Sequence, residues 1–281
     1  MTIYNNIKQV KNLINEHVKN GKSIGFIPTM GALHIGHLSL VQQARRENDI
    51  VAVSVFVNPK QFNNPDDLKR YPRTIEHDKK LIEDYADVLF IPEADEIYPE
   101  GFGTTVHVFP LADIAEGAFR PGHFDGMSTV VLKLFNLVQP TRAYFGKKDY
   151  QQYLIVRQMV RDLNVPVQIV GCDTVRESTG LALSSRNMRL TPKERLKAAV
   201  IYQALSEAKK CIINGERDTH VIRVRIEKML SVEPLWRTEY IEIRSIQDFS
   251  EPLHIMSDSV ILIAGYMGEV RLIDNIEIPI S

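Results

Sequence analysis

The 281-residue chain predicts an α/β fold with a mostly parallel sheet, followed by a smaller C-terminal α+β domain. Short apolar runs alternate with helical patterns over the first two thirds of the chain, as βαβ units require. Some runs, such as Ile50–Val57 (IVAVSVFV), are apolar without alternation, which suits strands covered on both faces. After Arg189 the texture changes: helices come first and strand-like runs cluster at the end.

The strands are expected at Ser23–Pro28, Ile50–Val57, Val88–Ile91, Ala143–Phe145 and Val167–Val170. Helices are expected near His37–Glu47, Thr74–Tyr85, Ser128–Val138 and Tyr150–Leu163, where apolar residues such as Val131, Leu134, Phe135 and Val138 recur at three-to-four-residue spacing. The first twenty residues read as an amphipathic helix without the apolar core or cleavage site of a secretion signal. Thr191-Pro192-Lys193-Glu194 opens a helix with a capping box and runs to Asn214-Gly215; a second helix spans Asp218–Leu230. Strands follow at Thr238–Ile243, Ser259–Tyr266 and Glu269–Ile278. The expected domains are residues 1–185, carrying the chemistry, and residues 186–281, closing over it.

A net charge of -1 argues against a nucleic-acid partner or an anionic membrane surface. Two separated cysteines, Cys172 and Cys211, form no metal or disulfide framework and suit a reducing compartment, so a cytoplasmic location is expected.

Four stretches carry chemistry. Pro28–His37 (PTMGALHIGH) follows a predicted strand, its glycines permit a tight turn, and His37 opens the next helix. Free N–H groups and the helix dipole favour an anion there, and His34 and His37 can donate to charge at phosphorus. Incidental turn histidines are the plain alternative. Asn58 and Gln61, at the exit of the next strand, can hold a small polar substrate with Phe62 as an apolar wall; an ordinary Asn-Pro turn looks the same. In Phe145–Gln152, Lys148 can pair with phosphate oxygens and Asp149 can hold Mg²⁺, with Gln152 one turn on. A capped helix start with exposed lysines shares that composition. Leu183-Ser184-Ser185-Arg186-Asn187 offers hydroxyls and a guanidinium as a phosphate clamp, or simply a polar loop at a domain junction. Tyr71–Thr74 and Asp78 are expected as solvated capping groups, and Gly122–Met127 as a turn or flexible cover before a helix.

The HIGH-type turn with a serine-rich loop resembles the nucleotidyltransferase superfamily, which includes class I aminoacyl-tRNA synthetases; Ser184–Asn187 takes the place of their Lys-Met-Ser-Lys-Ser loop. A tRNA synthetase relative is disfavoured by the neutral charge. PTMGALHIGHLSLV, FVNPKQF, YPRT, EGAFRPGHFDGMSTVVLKLFNLVQP, FGKKDYQQ and GLALSSRN together resemble the pantothenate synthetase (pantoate–β-alanine ligase) family, from about residue 24 to 190. The resemblance implies a Rossmann-like sheet, a homodimer, and ATP-dependent condensation of pantoate with β-alanine through pantoyl adenylate, releasing AMP and diphosphate. It implies that Met30, Gly31, Ala32, Leu33, His34, Ile35, Gly36, His37, Gly146, Lys147, Lys148, Asp149, Val175, Leu183, Ser184, Ser185 and Arg186 surround ATP. Within that set His37, His34, Lys148, Ser184, Ser185 and Arg186 act on the phosphates, His37 as proton donor. It also implies that Gln61 holds pantoate and β-alanine and Gln152 pantoate, with Asn58 a further substrate-binding residue and Mg²⁺ near Asp149. A nucleotidyltransferase that keeps its nucleotidyl product would lack the Gln61/Gln152 pair, and a nucleotide sensor would not need Lys148, Asp149 and the serine loop together.

Overall fold

The computed structural model describes residues 1–280, which divide into two compact units, residues 1–173 and 174–280. The division falls before the expected 185/186 boundary. Residues 174–185 belong with the second unit because Arg176 pins them there: its guanidinium grips Asp274 through two bonds of 2.6 and 2.9 Å, donates to the Gly180 carbonyl, and stacks 3.9 Å from the Tyr202 ring centroid.

The first unit runs β1 (Thr2–Tyr4), α1 (Ile7–Lys19), β2 (Ile24–Thr29), α2 (Ile35–Glu47), β3 (Ile50–Val55), α3 (Pro65–Arg70), α4 (Ile75–Ile82), β4 (Val88–Phe90), α5 (Ala94–Ile97), α6 (Glu116–Phe119), α7 (His123–Val138), β5 (Arg142–Gly146), α8 (Tyr150–Asp162) and β6 (Gln168–Cys172). Its sheet is wholly parallel, in the order β1-β4-β3-β2-β5-β6. From β4 onward this is the doubly wound order, with the reversal between β2 and β5, where open α/β sheets place ligands at the carboxyl ends of the strands.

The continuous apolar runs are explained by burial on both faces. All six residues of β3 are buried; Ile50 and Ala52 enter one cluster with Phe26, Phe90, Phe135 and Phe145, while Val51, Val53 and Val55 enter the other with Ile27, Leu89 and Tyr144. The first residues are not helical throughout as expected: Thr2–Tyr4 pairs in parallel with Val88–Phe90 as an edge strand, and the helix begins only after Asn6, whose side chain accepts from the Lys8 amide. Gly122–Met127 is no cover. It is the buried first turn of α7, with His123, Phe124, Gly126 and Met127 all inside.

In the second unit α9 (Pro192–Lys197), α10 (Val200–Ile213) and α11 (Thr219–Leu230) precede a three-stranded antiparallel sheet, β7 (Trp236–Ser245), β8 (Ser259–Met267) and β9 (Val270–Ile278). The capping box forms as expected: Thr191 accepts from the Glu194 amide and Glu194 caps the Thr191 amide at 2.8 Å. The helix expected to run unbroken to Asn214 is interrupted at Ala198–Ala199, where the Ala199 amide reaches Leu196 rather than the residue four back. Ile201, Leu205 and Ile212 of α10 and Ile222, Ile226 and Leu230 of α11 pack with Ile243, Ile261 and Ile263 of the sheet. No helix among the described residues is long and apolar enough to cross a membrane.

Candidate active site

The carboxyl ends of the adjacent strands β3, β2 and β5 carry three of the four stretches singled out in the sequence. After β2, the Thr29 hydroxyl donates to the Ser54 carbonyl (2.8 Å) and accepts from the Gly31 amide (3.1 Å), so the chain turns at once. Gly31 has φ +82°, and a Cβ there would lie 2.9 Å from Val55 Cγ1; glycine is required. Ala32 follows with φ +51°, a left-handed conformation unusual for a residue with a side chain. The amides of Ala32 and Leu33 both donate to the carboxylate of Asp78, each at 2.9 Å. Asp78 is 1% exposed, not a solvated capping group as expected.

The two histidines cap α2 reciprocally. His34 Nδ1 accepts from the Gly36 amide (3.1 Å) and His37 Nδ1 from the His34 amide (3.3 Å), with ring centroids 4.1 Å apart. A backbone N–H can only donate, so each Nδ1 is bare and each neutral ring carries its proton on Nε2. Burial holds His34 down to about 4, helped by Lys148, and holds His37 down to about 3, helped by His34; Asp149 opposes both shifts. At neutral pH the pair is therefore two uncharged Nε2–H donors. The helix start was expected to offer free N–H groups to an anion. Instead the amides of Gly31, Ala32, Leu33, His34 and Gly36 all bond within the protein, and the imidazoles add side-chain donors to the turn.

Past β3, Gln61 is buried. Its Oε1 accepts from Asn58 Nδ2 (2.9 Å), and its Nε2 lies 3.0 Å from Met30 Sδ, which joins this turn to the histidine turn. Asn58, 1% exposed, also donates to the Gly126 carbonyl (3.0 Å) and accepts from the Tyr98 hydroxyl (2.8 Å). The Gly126 carbonyl can only accept and the Lys60 amide (3.3 Å) can only donate, which settles that Asn58 Nδ2 faces Gln61, and the Gln61 NH₂ keeps a second N–H beside its contact with Met30. From the other side, Arg120 donates to His123 Nε2 (3.1 Å), so His123 Nδ1–H donates to the Gln61 carbonyl (2.7 Å); Glu116 pairs with Arg120 at 3.3 Å.

Past β5, Lys148 Nζ stands 3.4 Å from Asp149 and Lys147 Nζ 3.4 Å from Asp173. Gly146 ends the strand, and Tyr150 begins α8. On its first turn Gln151 is spent on structure: Nε2 donates to the carbonyls of Leu111 (2.6 Å) and Ile114 (2.7 Å), and Oε1 accepts from the Glu116 amide (3.0 Å). Its neighbour Gln152 is partly exposed. Among the described residues no three His, Cys, Asp or Glu side chains assemble as a metal cage. The half-exposed Asp149 carboxylate beside Lys148 is the donor chemistry expected where Mg²⁺ is shared with substrate phosphates.

Val175, Leu183, Ser184, Ser185 and Arg186 lie in the second unit. There the Leu183 amide donates to the Val175 carbonyl (3.0 Å), and Ser184 caps a 3₁₀ turn by accepting from the Arg186 amide (3.2 Å). Asn187, 3% exposed, donates to the Ala182 carbonyl (3.0 Å) and keeps that loop closed.

Sequence reasoning missed Asp78, Tyr98 and His123 as parts of this machinery. One signal for Asp78 was available: with Ile75 and Ile82 it occupies one stripe of α4, and a carboxylate on an apolar stripe calls for a partner.

A parallel doubly wound sheet with a histidine-capped turn at its order reversal defines the class: an open-sheet α/β protein built to hold ligands at the carboxyl ends of its strands. The profile of the pantoate-beta-alanine ligase family matches residues 2–277, and the chain belongs to that family, a family of ligases. Pantothenate synthetases of Caldicellulosiruptor bescii and Aquifex aeolicus are 47% and 48% identical to it, over 98% and 97% of both chains respectively. The crystal structure of the Thermus thermophilus pantothenate synthetase matches with TM-score 0.94 at 45% identity over 100% of both chains. The Francisella tularensis pantoate-beta-alanine ligase, complexed with beta-gamma ATP and beta-alanine, matches with TM-score 0.80 at 39% identity, covering 98% of this chain and 97% of that one.

Proposed function

We propose that the protein condenses pantoate with β-alanine at the expense of ATP, in two steps and without a covalent enzyme intermediate. A pantoate carboxylate oxygen attacks the α-phosphorus, the bond to diphosphate breaks, and pantoyl adenylate remains bound. The β-alanine amine, having lost its proton, attacks the acyl carbon; the C–N bond forms, the C–O bond breaks, and AMP leaves with the former carboxylate oxygen. The observation that carries this reading is the pair of neutral, backbone-aimed Nε2–H donors at the sheet's order reversal, beside Lys148.

In this reading His34 and His37 stabilise the charge that develops on the phosphates, and Lys148 neutralises the leaving diphosphate. A ring whose nitrogen stays neutral until pH falls to about 3 is a poor proton donor at pH 7, so His37 acts as a hydrogen-bond donor. Gln61 and Gln152 hold pantoate, Gln61 also meets β-alanine, and Asn58 orients Gln61. The Met30–His37 turn, Gly146–Asp149, Val175 and Leu183–Arg186 surround ATP, with Ser184, Ser185 and Arg186 on the phosphates. Asp149 would hold Mg²⁺, which would supply positive charge to the phosphates when bound. The protein works in the cytoplasm as a homodimer, which sedimentation would test. With ATP, Mg²⁺ and pantoate supplied, AMP is expected in quantity only when β-alanine is added. Diphosphate should exchange into ATP with pantoate alone, and absence of that exchange overturns the reading.

A further inference from the structure

We propose that Asp78 is a positioning residue for the nucleotide-binding turn: its buried carboxylate fixes the backbone of Gly31–Leu33 and thereby the direction in which His34 and His37 offer their Nε2–H groups. The inference rests on the reading of that turn given above.

A carboxylate withdrawn from water needs several good donors. Asp78 has three: the Ala32 amide, the Leu33 amide and the Thr74 hydroxyl, each at 2.9 Å. Two consecutive amides on the two oxygens of one carboxylate leave the peptide planes between them little freedom. They act at the point where the chain is strained, since Gly31 and Ala32 are both left-handed at φ +82° and +51°, conformations that persist where the surroundings over-determine them. Gly31 also makes the approach possible, for a Cβ there would lie 3.3 Å from Asp78 Oδ2. Immediately after Leu33 comes the imidazole capping box, so the angle at which the turn leaves Asp78 is the angle at which both rings are set. A negative charge beneath a phosphate site opposes the ligand, so what Asp78 adds is geometry rather than attraction. Thr74 fits the same role: at the N-cap of α4 its side chain makes no capping bond and instead binds Asp78.

The test is Asp78→Asn in the full chain, with KM for ATP and for pantoate measured separately and ATP binding followed by calorimetry. Asparagine keeps the shape but turns an NH₂ toward backbone donors. The ATP KM and Kd are expected to rise about tenfold or more, the yield of one lost charge-assisted bond. The pantoate KM should stay within about twofold, because Asn58, Tyr98 and His123 hold Gln61 through separate contacts. Equal rises in both constants, or an unchanged ATP KM, overturn the proposal. If Asp78→Asn does not fold, Thr74→Val decides, since it removes a single hydroxyl: an ATP-selective rise of about threefold supports the clamp, and native constants refute it. Failure of the functional reading is separate, because the native chain would then show no pantoate-dependent exchange.

Discussion

Gly126→Ala is expected to damage the pantoate side of the site and the stability of the first unit together. A Cβ on Gly126 would lie 2.2 Å from the Lys60 carbonyl oxygen, 2.4 Å from its carbon and 2.7 Å from the Gln61 nitrogen. These are backbone atoms, so no side chain can swing away; α7 and the Asn58–Gln61 turn must separate by about 1 Å to restore van der Waals distance. Overpacking of this kind costs about 1–3 kcal/mol, and stretching the 3.0 Å bond from Asn58 to the Gly126 carbonyl adds about 1 kcal/mol. Helix propensity alone predicts the opposite sign, a gain of about 1 kcal/mol on replacing a helical glycine by alanine, so the sign is itself diagnostic. A net loss of about 1–3 kcal/mol should lower the melting temperature by about 3–12 °C. A displacement of about 1 Å at Gln61 should reduce kcat/KM for pantoate about 100-fold. The ATP KM should move much less, since the histidine turn has its own anchors in Thr29 and Asp78. Differential scanning calorimetry and steady-state kinetics on both substrates check this. A variant with native or higher melting temperature and native pantoate KM would refute the packing argument.

Tyr98→Phe leaves Asn58 Oδ1 with only the Lys60 amide at 3.3 Å and loosens the amide that holds Gln61; kcat/KM for pantoate should fall about tenfold with the ATP KM preserved, as steady-state kinetics would read. Because the folded-state values of His34 and His37 lie near 4 and 3, below the ordinary 6.5, the unfolded chain binds more protons as pH falls; the stability linked to the pair is fully present above 6.5 and is lost as pH drops toward 4 and then 3. Accordingly the ¹⁵N spectra of both rings should show Nε2–H tautomers that do not titrate between about pH 6 and 8, and a titration near 6.5 at either ring would contradict the assignment.

Much of this arrangement is legible before any coordinates, and the pattern of success has a physical basis. The central strands announce themselves, because β2 and β3 are buried along most of both faces and are therefore almost continuously apolar, with Ser54 the one polar side chain in β3. The edge strand at Thr2–Tyr4 does not, being three residues long, mostly exposed and dependent on β4 for its existence. The same division holds in the site. The residues proposed to meet ligands, His34, His37, Gln61 and Lys148, lie on turns after strands and read directly. Residues that hold those turns are distant in sequence, Asp78 from Ala32 and Tyr98 from Asn58, and their role is created by the fold. Nor could composition say that α2 caps itself with imidazoles, which occupy the His34 and Gly36 amides of the turn.

The central claim is that a carboxylate oxygen of pantoate attacks the α-phosphorus between the imidazole pair and Lys148. Pantoate labelled with ¹⁸O in its carboxylate, turned over with ATP and β-alanine, tests it most directly by mass spectrometry of the products. One ¹⁸O atom carried into AMP, with unlabelled diphosphate, is the predicted result. Label in orthophosphate accompanied by ADP, or AMP free of label, would contradict the account.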